Sequence, residues 1–191
     1  MPPSPWHARP APAQRCTARW PGDVFAAVDV HYLASGGACA AVVTAGDALF
    51  SGALAARSVP VSRVLPYRPG QFFLRELPPL RAALTGAGRL ALVVIDGYVD
   101  LDPGGRPGLG AHVHAEFGVP VIGVAKTAFR TATHAVPVTR GRSARPLFIT
   151  AAGISREDAA SLVRQMAGRY RLPDALRRAD LVARQGATSC C

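Results

Sequence analysis

Between Leu90 and Gly97 the chain reads Leu-Ala-Leu-Val-Val-Ile-Asp-Gly, a continuous apolar run with β-branched residues at its centre. A run this short, with no polar position to face water, predicts a strand covered on both faces. Val24 to Tyr32, Ala38 to Thr44 and Val119 to Ala125 have the same character. Gly36-Gly37 separates the first two, and Gly46-Asp47 turns the chain into a further strand from Ala48 to Val59. Consecutive strands joined by short glycine turns predict an antiparallel meander. After Asp96 the order changes to a glycine-rich loop (Tyr98 to Gly110), a short helix carrying His112 and His114, and the strand Val119 to Ala125. Strand, helix, strand predicts a βαβ unit with parallel strands. Pro146 to Thr150 reads as a last short strand.

The helices follow from periodicity and caps. Gln71 to Glu76 predicts a helical turn with Phe72 and Phe73 inward, broken by Pro78-Pro79. Pro79 suits the first turn of a second helix, buried through Leu80, Ala83 and Leu84. Ser155-Arg156-Glu157-Asp158 resembles a capping box and opens a helix facing inward through Leu162, Val163 and Met166. Pro173 to Ala183 predicts a final helix. The fold class is therefore α/β, a mixed sheet in which an antiparallel meander is followed by parallel strands, flanked by helices. Residues 1–21, rich in Pro, Ala and Arg, predict a flexible arm; 22–186 form one domain; 187–191 are expected to fray. No internal repeat is present.

Composition adds a partner. The 191 residues carry a formal net charge of +10, which suits a polyanion and most simply nucleic acid. No apolar run approaches the roughly 20 residues of a membrane span. The N-terminus lacks the apolar stretch of a signal peptide, so a cytoplasmic, monomeric protein is expected. The four cysteines, Cys16, Cys39, Cys190 and Cys191, have no metal-ligand spacing and predict free thiols. His112 and His114 fall on different helix faces and do not read as a metal pair. Lys126 is the one lysine in an arginine-rich chain. A compact ammonium offers chemistry that guanidinium cannot.

Candidate chemistry centres on acids in apolar surroundings. Asp29 interrupts the first strand and Asp96 ends the buried one; ligand sites in open α/β sheets lie at the carboxyl ends of strands. Taken alone, Asp96-Gly97 reads equally well as a simple turn, and Glu76 as a surface residue. If the strands holding Asp29 and Asp96 are neighbours, the two carboxylates repel unless a proton or a cation joins them. Oxygen donors without Cys or paired His point to Mg²⁺ or Mn²⁺. Lys126, at the end of the next parallel strand, would pair with a phosphate or help to move a proton near the same edge. Leu65-Pro66-Tyr67-Arg68-Pro69-Gly70 holds a tyrosine between prolines, which taken alone reads as an ordinary loop aromatic.

These pieces, taken in order, resemble the endonuclease V family. The matching segments are Val28-Asp29-Val30, Pro66 to Gly70, Arg75-Glu76, Val94 to Gly97, Gly108 to His112, Ile122 to Lys126, Pro146 to Ile149, Tyr170 to Pro173 and Ala179-Asp180. The resemblance implies a ribonuclease H-like fold and a Mg²⁺-dependent phosphodiesterase that nicks nucleic acid at the second phosphodiester on the 3′ side of a deaminated purine, deoxyinosine, in DNA repair. It implies a metal site of Asp29, Glu76 and Asp96, a supporting Lys126, a wedge of Pro66, Tyr67 and Pro69, and a base pocket near Gly97 and Gly108. An inosine- or nucleic-acid-binding protein with weak or lost cleavage, and an endoribonuclease acting on inosine-containing RNA, remain the alternatives. The chain departs from the family pattern at Tyr98-Val99, where a second glycine is usual, at Asp102-Pro103 in place of His-Pro, and at Thr150 to Gly153, which lacks a histidine.

Overall fold

The computed structural model describes residues 22–52, 54–66, 68 and 71–188. The expected N-terminal arm, Tyr67, Pro69 and the last three residues lie outside the described residues. Seven strands form one sheet in the order β3-β2-β1-β4-β5-β7-β6. β1 (Asp23–Tyr32), β2 (Ala38–Ala45) and β3 (Ala55–Val61) make the expected antiparallel meander. β4 (Arg89–Asp96) lies parallel to β1 on one side and to β5 (Val121–Ala125) on the other. β6 (Val136–Val138) and β7 (Leu147–Ala152) close the far side, with β7 antiparallel to β5. The fold is ribonuclease H-like, as the resemblance implied.

Helices cover both faces. α1 (Phe72–Leu84) and α2 (Leu109–Phe117) pack on one face, where Leu80, Leu84 and Val113 meet Val28, Val42, Val93 and Ile95. α3 (Arg156–Gln165) and α4 (Asp174–Thr188) pack on the other, where Val163, Leu176 and Ala179 meet Ala27, Val94, Ile122 and Ile149. Strands buried on both faces have no polar side to show, which is why their sequences lack alternation. Among the described residues no helix is long and apolar enough to cross a membrane.

Four local expectations are corrected. β3 begins at Ala55, not Ala48, because Asp47 organises a loop: its carboxylate accepts from the amides of Leu49, Ser51 and Gly52 at 2.9, 3.2 and 3.2 Å. Pro78 and Pro79 do not split the helix. α1 runs through both, and burial of Pro79, Leu80, Ala83 and Leu84 offsets the amide hydrogen bonds the prolines cannot make. Phe73 packs inward, whereas Phe72 is 43% exposed. α4 continues to Thr188 and Ala187 is buried, so the expected tail loses its first two residues to the helix. β6 was not anticipated; a three-residue strand containing Pro137 carries too little pattern to read. The Ser155 cap is as expected, its hydroxyl accepting from Asp158 N at 3.0 Å, and Val163 and Met166 are buried with Leu162 packed beside them.

The loop between β4 and α2 is pinned to the sheet. Thr150 on β7 is fully buried, and its Oγ1 accepts from Val99 N at 2.8 Å. Gly123 lies beneath, where a Cβ would meet Gly97 O at 2.6 Å and Thr150 Oγ1 at 2.7 Å. Thr150→Val should leave the buried Val99 amide unpaired at a cost of about 1–3 kcal/mol. The expected result is a melting temperature lower by several degrees and faster amide exchange across residues 97–110. Unchanged melting and exchange would show that this bond does not hold the loop.

Candidate active site

The sheet brings the sequence-predicted acids to one edge. Val28 on β1 lies beside Ile95 on β4 in parallel register, so Asp29 and Asp96 follow side by side at the carboxyl ends. Ala27 and Val94, two residues earlier, belong to the core under α3 and α4. Strand alternation therefore turns both carboxylates to the α4 side. Burial first, and then the Asp96 charge beside it, push the Asp29 carboxyl up to about 7.

Glu76 reaches this edge from α1 on the opposite face. Its carboxyl is pushed up to about 8, mainly by burial and also by Asp29 and Asp96, against the lowering effect of a hydrogen bond from Tyr32. Tyr32 Oη donates to Glu76 Oε1 at 3.1 Å, and Arg75 stacks over the Tyr32 ring at 3.8 Å. Lys126, just beyond β5, forms an ion pair with Asp96. Burial alone would lower its pKa, but Asp96, Asp29 and Asp180 together raise it, so it carries its charge at neutral pH.

Two residues at this edge were given no role by sequence reasoning. Tyr32 lies three positions past Asp29 on the alternate face of β1 and meets α1. Asp180 on α4 acts electrostatically on both Asp29 and Lys126, and its Oδ1 accepts from Arg184 at 2.9 Å. The available signal was an acid next to the apolar stripe of Leu176, Ala179 and Ala183, within a segment already matched to the family.

The acids do not close on a point as they stand. Among the described residues no group of three His, Cys, Asp or Glu side chains is positioned to hold a metal ion. Asp96 is turned to Lys126 and Glu76 to Tyr32. The donor set still fits a hard divalent cation: three carboxylates, two of them raised by burial and mutual repulsion, lack the charge that would let them ionise together. The histidines stand aside as expected, His112 stacked on Phe73 with ring centroids 3.8 Å apart and His114 Nδ1 2.7 Å from Val119 O.

The glycine loop borders the acids. Gly97 has φ 145°, and a Cβ there would meet nothing within 4 Å, so its backbone faces open space. Gly108 is packed tightly, where a Cβ would lie 2.6 Å from Tyr98 O, and its amide donates to Val99 O at 2.7 Å. Tyr98 Oη donates to Thr127 O at 2.8 Å and accepts from Phe129 N at 3.0 Å, tying the loop to the segment after Lys126. Of the expected wedge, Pro66 is exposed; Tyr67 and Pro69 lie outside the described residues. The segment leading to it is anchored where Val64 N donates to Gly36 O at 3.1 Å.

Comparison with known proteins agrees with this architecture. The family model described as Endonuclease V matches residues 13–152. The chain is 35% identical to an endonuclease V of Azotobacter vinelandii over 182 residues, covering 84% of this chain and 81% of the relative. It is 35% identical to one of Streptomyces coelicolor, covering 77% and 71%. The crystal structure of the Streptomyces avermitilis endonuclease V superposes with a TM-score of 0.71 at 25% identity, over 87% of this chain and 82% of that one. The Ciona intestinalis enzyme, solved with an inosine-containing DNA, shares the fold at TM-score 0.69 and 17% identity, over 89% and 87%. The family model spans most of the chain and the relatives cover most of its length: the chain belongs to the endonuclease V family.

Proposed function

We propose that this nuclease is a metal-dependent endonuclease that nicks DNA 3′ to deoxyinosine, as a step in DNA repair. The observation that carries the reading is the convergence of Asp29, Glu76, Asp96 and Lys126, from three strands and a helix, on one edge of the sheet. Asp29, Glu76 and Asp96 would hold Mg²⁺, with Mn²⁺ as an alternative ion. A divalent cation supplies Lewis acidity there, activating water and stabilising charge on the phosphate.

The chain's own groups supply the rest. Tyr32 orients Glu76 through its hydroxyl. Lys126, kept protonated by the surrounding carboxylates, offers an ammonium to the scissile phosphate and is poorly suited to act as a base. The open backbone at Gly97, with the close-packed turn at Gly108, forms the pocket for an extruded hypoxanthine. Pro66, Tyr67 and Pro69 fill the gap that the base leaves in the stack. The family relation and the net charge of +10 support a nucleic-acid substrate. We place the protein in the cytoplasm as a monomer.

Incubation with end-labelled inosine-containing duplex DNA, inosine-containing RNA and undamaged duplex, with and without Mg²⁺, tests the reading. Nicking of the inosine DNA only with the metal is expected, and cleavage of RNA alone would move the substrate to RNA. Asp96→Ala should lower the rate by at least about a thousandfold, the scale of losing a main electrostatic contributor. Lys126→Arg should also lower it sharply, because a planar guanidinium fits a compact ammonium site poorly. Near wild-type rates in either variant would overturn the assigned roles.

Tyr67→Ala should weaken the preference for inosine more than it weakens cutting. Stacking on an aromatic contributes about 1–3 kcal/mol per base. An unchanged ratio of binding to inosine-containing and undamaged duplex, at one fixed salt concentration, would remove the wedge.

A further inference from the structure

Beyond the carboxylates the same edge continues into an open groove of about 730 Å³ that none of the groups above uses. One wall is the hairpin between β6 and β7; the other is the end of α3 and the chain after it. Thr139 to Pro146 and Arg164 to Arg171 contain Arg140, Arg142, Arg145, Arg164, Arg169 and Arg171 and no Asp or Glu. Arg140 is structural: it is 6% exposed, and its guanidinium donates to the carbonyls of Tyr170 at 3.1 Å and Gly168 at 3.3 Å, fastening the two walls together. Arg142 and Arg164 also line the groove, are exposed, and make no ion pair with any acid among the described residues. Ser143 and Gln165 complete the lining, with the Gln165 amide donating to Ser161 and the Ser143 hydroxyl bonded to the Arg145 backbone.

The position of this groove matters as much as its charge. Phe148 pairs with Ala125 and Leu147 with Val138, so the hairpin leaves the sheet at the edge where Lys126 sits. Arg171 joins the two, donating to Lys126 O and, at 2.7 Å, to Pro146 O. The segment leading to Pro66 lies on the other flank, beside the β1–β2 turn. The groove is therefore one to two inter-strand spacings past Lys126, roughly 5–10 Å. At about 3.4 Å of duplex axis per phosphate of one strand, and with the axis running along the sheet edge, that is about two or three phosphates from the cleavage position.

We propose that this groove is a second backbone-binding subsite, in which Arg142 and Arg164 hold phosphates of the nucleic acid on the flank opposite the wedge. The inference rests on the nuclease reading above. It requires binding that depends on strand length and salt and not on the base at the lesion. Arginine forks suit phosphate oxygens, and neither Arg142 nor Arg164 is held by an acid among the described residues, since the one carboxylate beside Gly168, that of Asp174, pairs with Arg177.

The test compares wild type with the double variant Arg142→Ser and Arg164→Gln, both changes being at exposed positions. Affinity is measured on duplexes extended stepwise on each side of an inosine, and on undamaged duplexes of the same lengths. Wild type should gain affinity as one flank passes about two or three phosphates from the nick. The double variant should lose most of that gain, about tenfold at 100 mM salt, and the slope of log K against log salt should fall by about 2. Arg89→Gln, at the opposite end of the strands, removes a positive charge away from the groove and should keep the gain. Equal slopes and equal length dependence in wild type and the double variant would overturn the subsite. A wild type that binds undamaged duplex with the expected slope difference but never cuts inosine DNA would instead sink the nuclease specificity and leave the subsite standing.

Discussion

Carboxylates brought together at the closed end of a buried sheet repel one another, and the rest of the site answers to that repulsion. Asp29 and Asp96 are neighbours because β1 and β4 are parallel neighbours, and no side-chain rotation separates the strands. The chain meets the cost locally. Lys126 neutralises Asp96 and Tyr32 donates to Glu76, yet burial and the neighbouring charges still raise the Asp29 and Glu76 carboxyls to about 7 and 8. The unbalanced negative charge left over is what a divalent cation would neutralise, so the electrostatic problem and the proposed catalytic device are the same feature.

A second constraint shapes the loop beside those acids. Space between β4, β5 and α2 is so tight that glycine is required at Gly110 and Gly123, where a Cβ would meet Val99 Cγ2 and Gly97 O, each at 2.6 Å. The departures from the family pattern fit within this packing. Val99, in place of a second glycine, is fully buried against Ile95 and the α2 core, away from the open backbone at Gly97. Tyr98 spends its hydroxyl on Thr127 and Phe129. Asp102, where His-Pro is usual, accepts from Arg106 N at 3.1 Å and closes a local turn. The loop thus packs these side chains around Gly97, Gly108 and Gly110.

Much of this was legible in the sequence, for physical reasons that vary by element. Apolar runs such as Leu90 to Ile95 announce strands buried on two faces, and the lone acids Asp29 and Asp96 within or at the end of such runs come together at one edge as neighbouring strands require. The Gly36-Gly37 turn was readable because its chemistry is local. What stayed hidden depends on distant contacts. α1 survives two prolines only because its far half is buried, which no local propensity reports. The late start of β3 follows from one carboxylate capping three amides. Tyr32 and Asp180 join the site through strand alternation and helix docking, so their relevance emerges only once the sheet is assembled. The arginine groove combines two segments about twenty residues apart that share no pattern.

The central claim is that the carboxylates need a cation, and thermal unfolding across pH tests it most directly. Asp29 and Glu76 have folded pKa values of about 7 and 8 against ordinary values of 3.8 and 4.5. Raised carboxyls stabilise the fold below their unfolded pKa and lose that contribution as pH rises through the folded one. Without divalent metal the melting temperature should therefore fall between pH 5 and 8.5. The fall should be several degrees, since about 1 kcal/mol moves it by about 2–4 °C in a chain of this size. Excess Mg²⁺ should restore most of the loss at pH 8.5 and little at pH 5, and Asp29→Asn should flatten the fall and weaken the restoration. A Mg²⁺ effect that is absent, or equal at both pH values, would contradict the account.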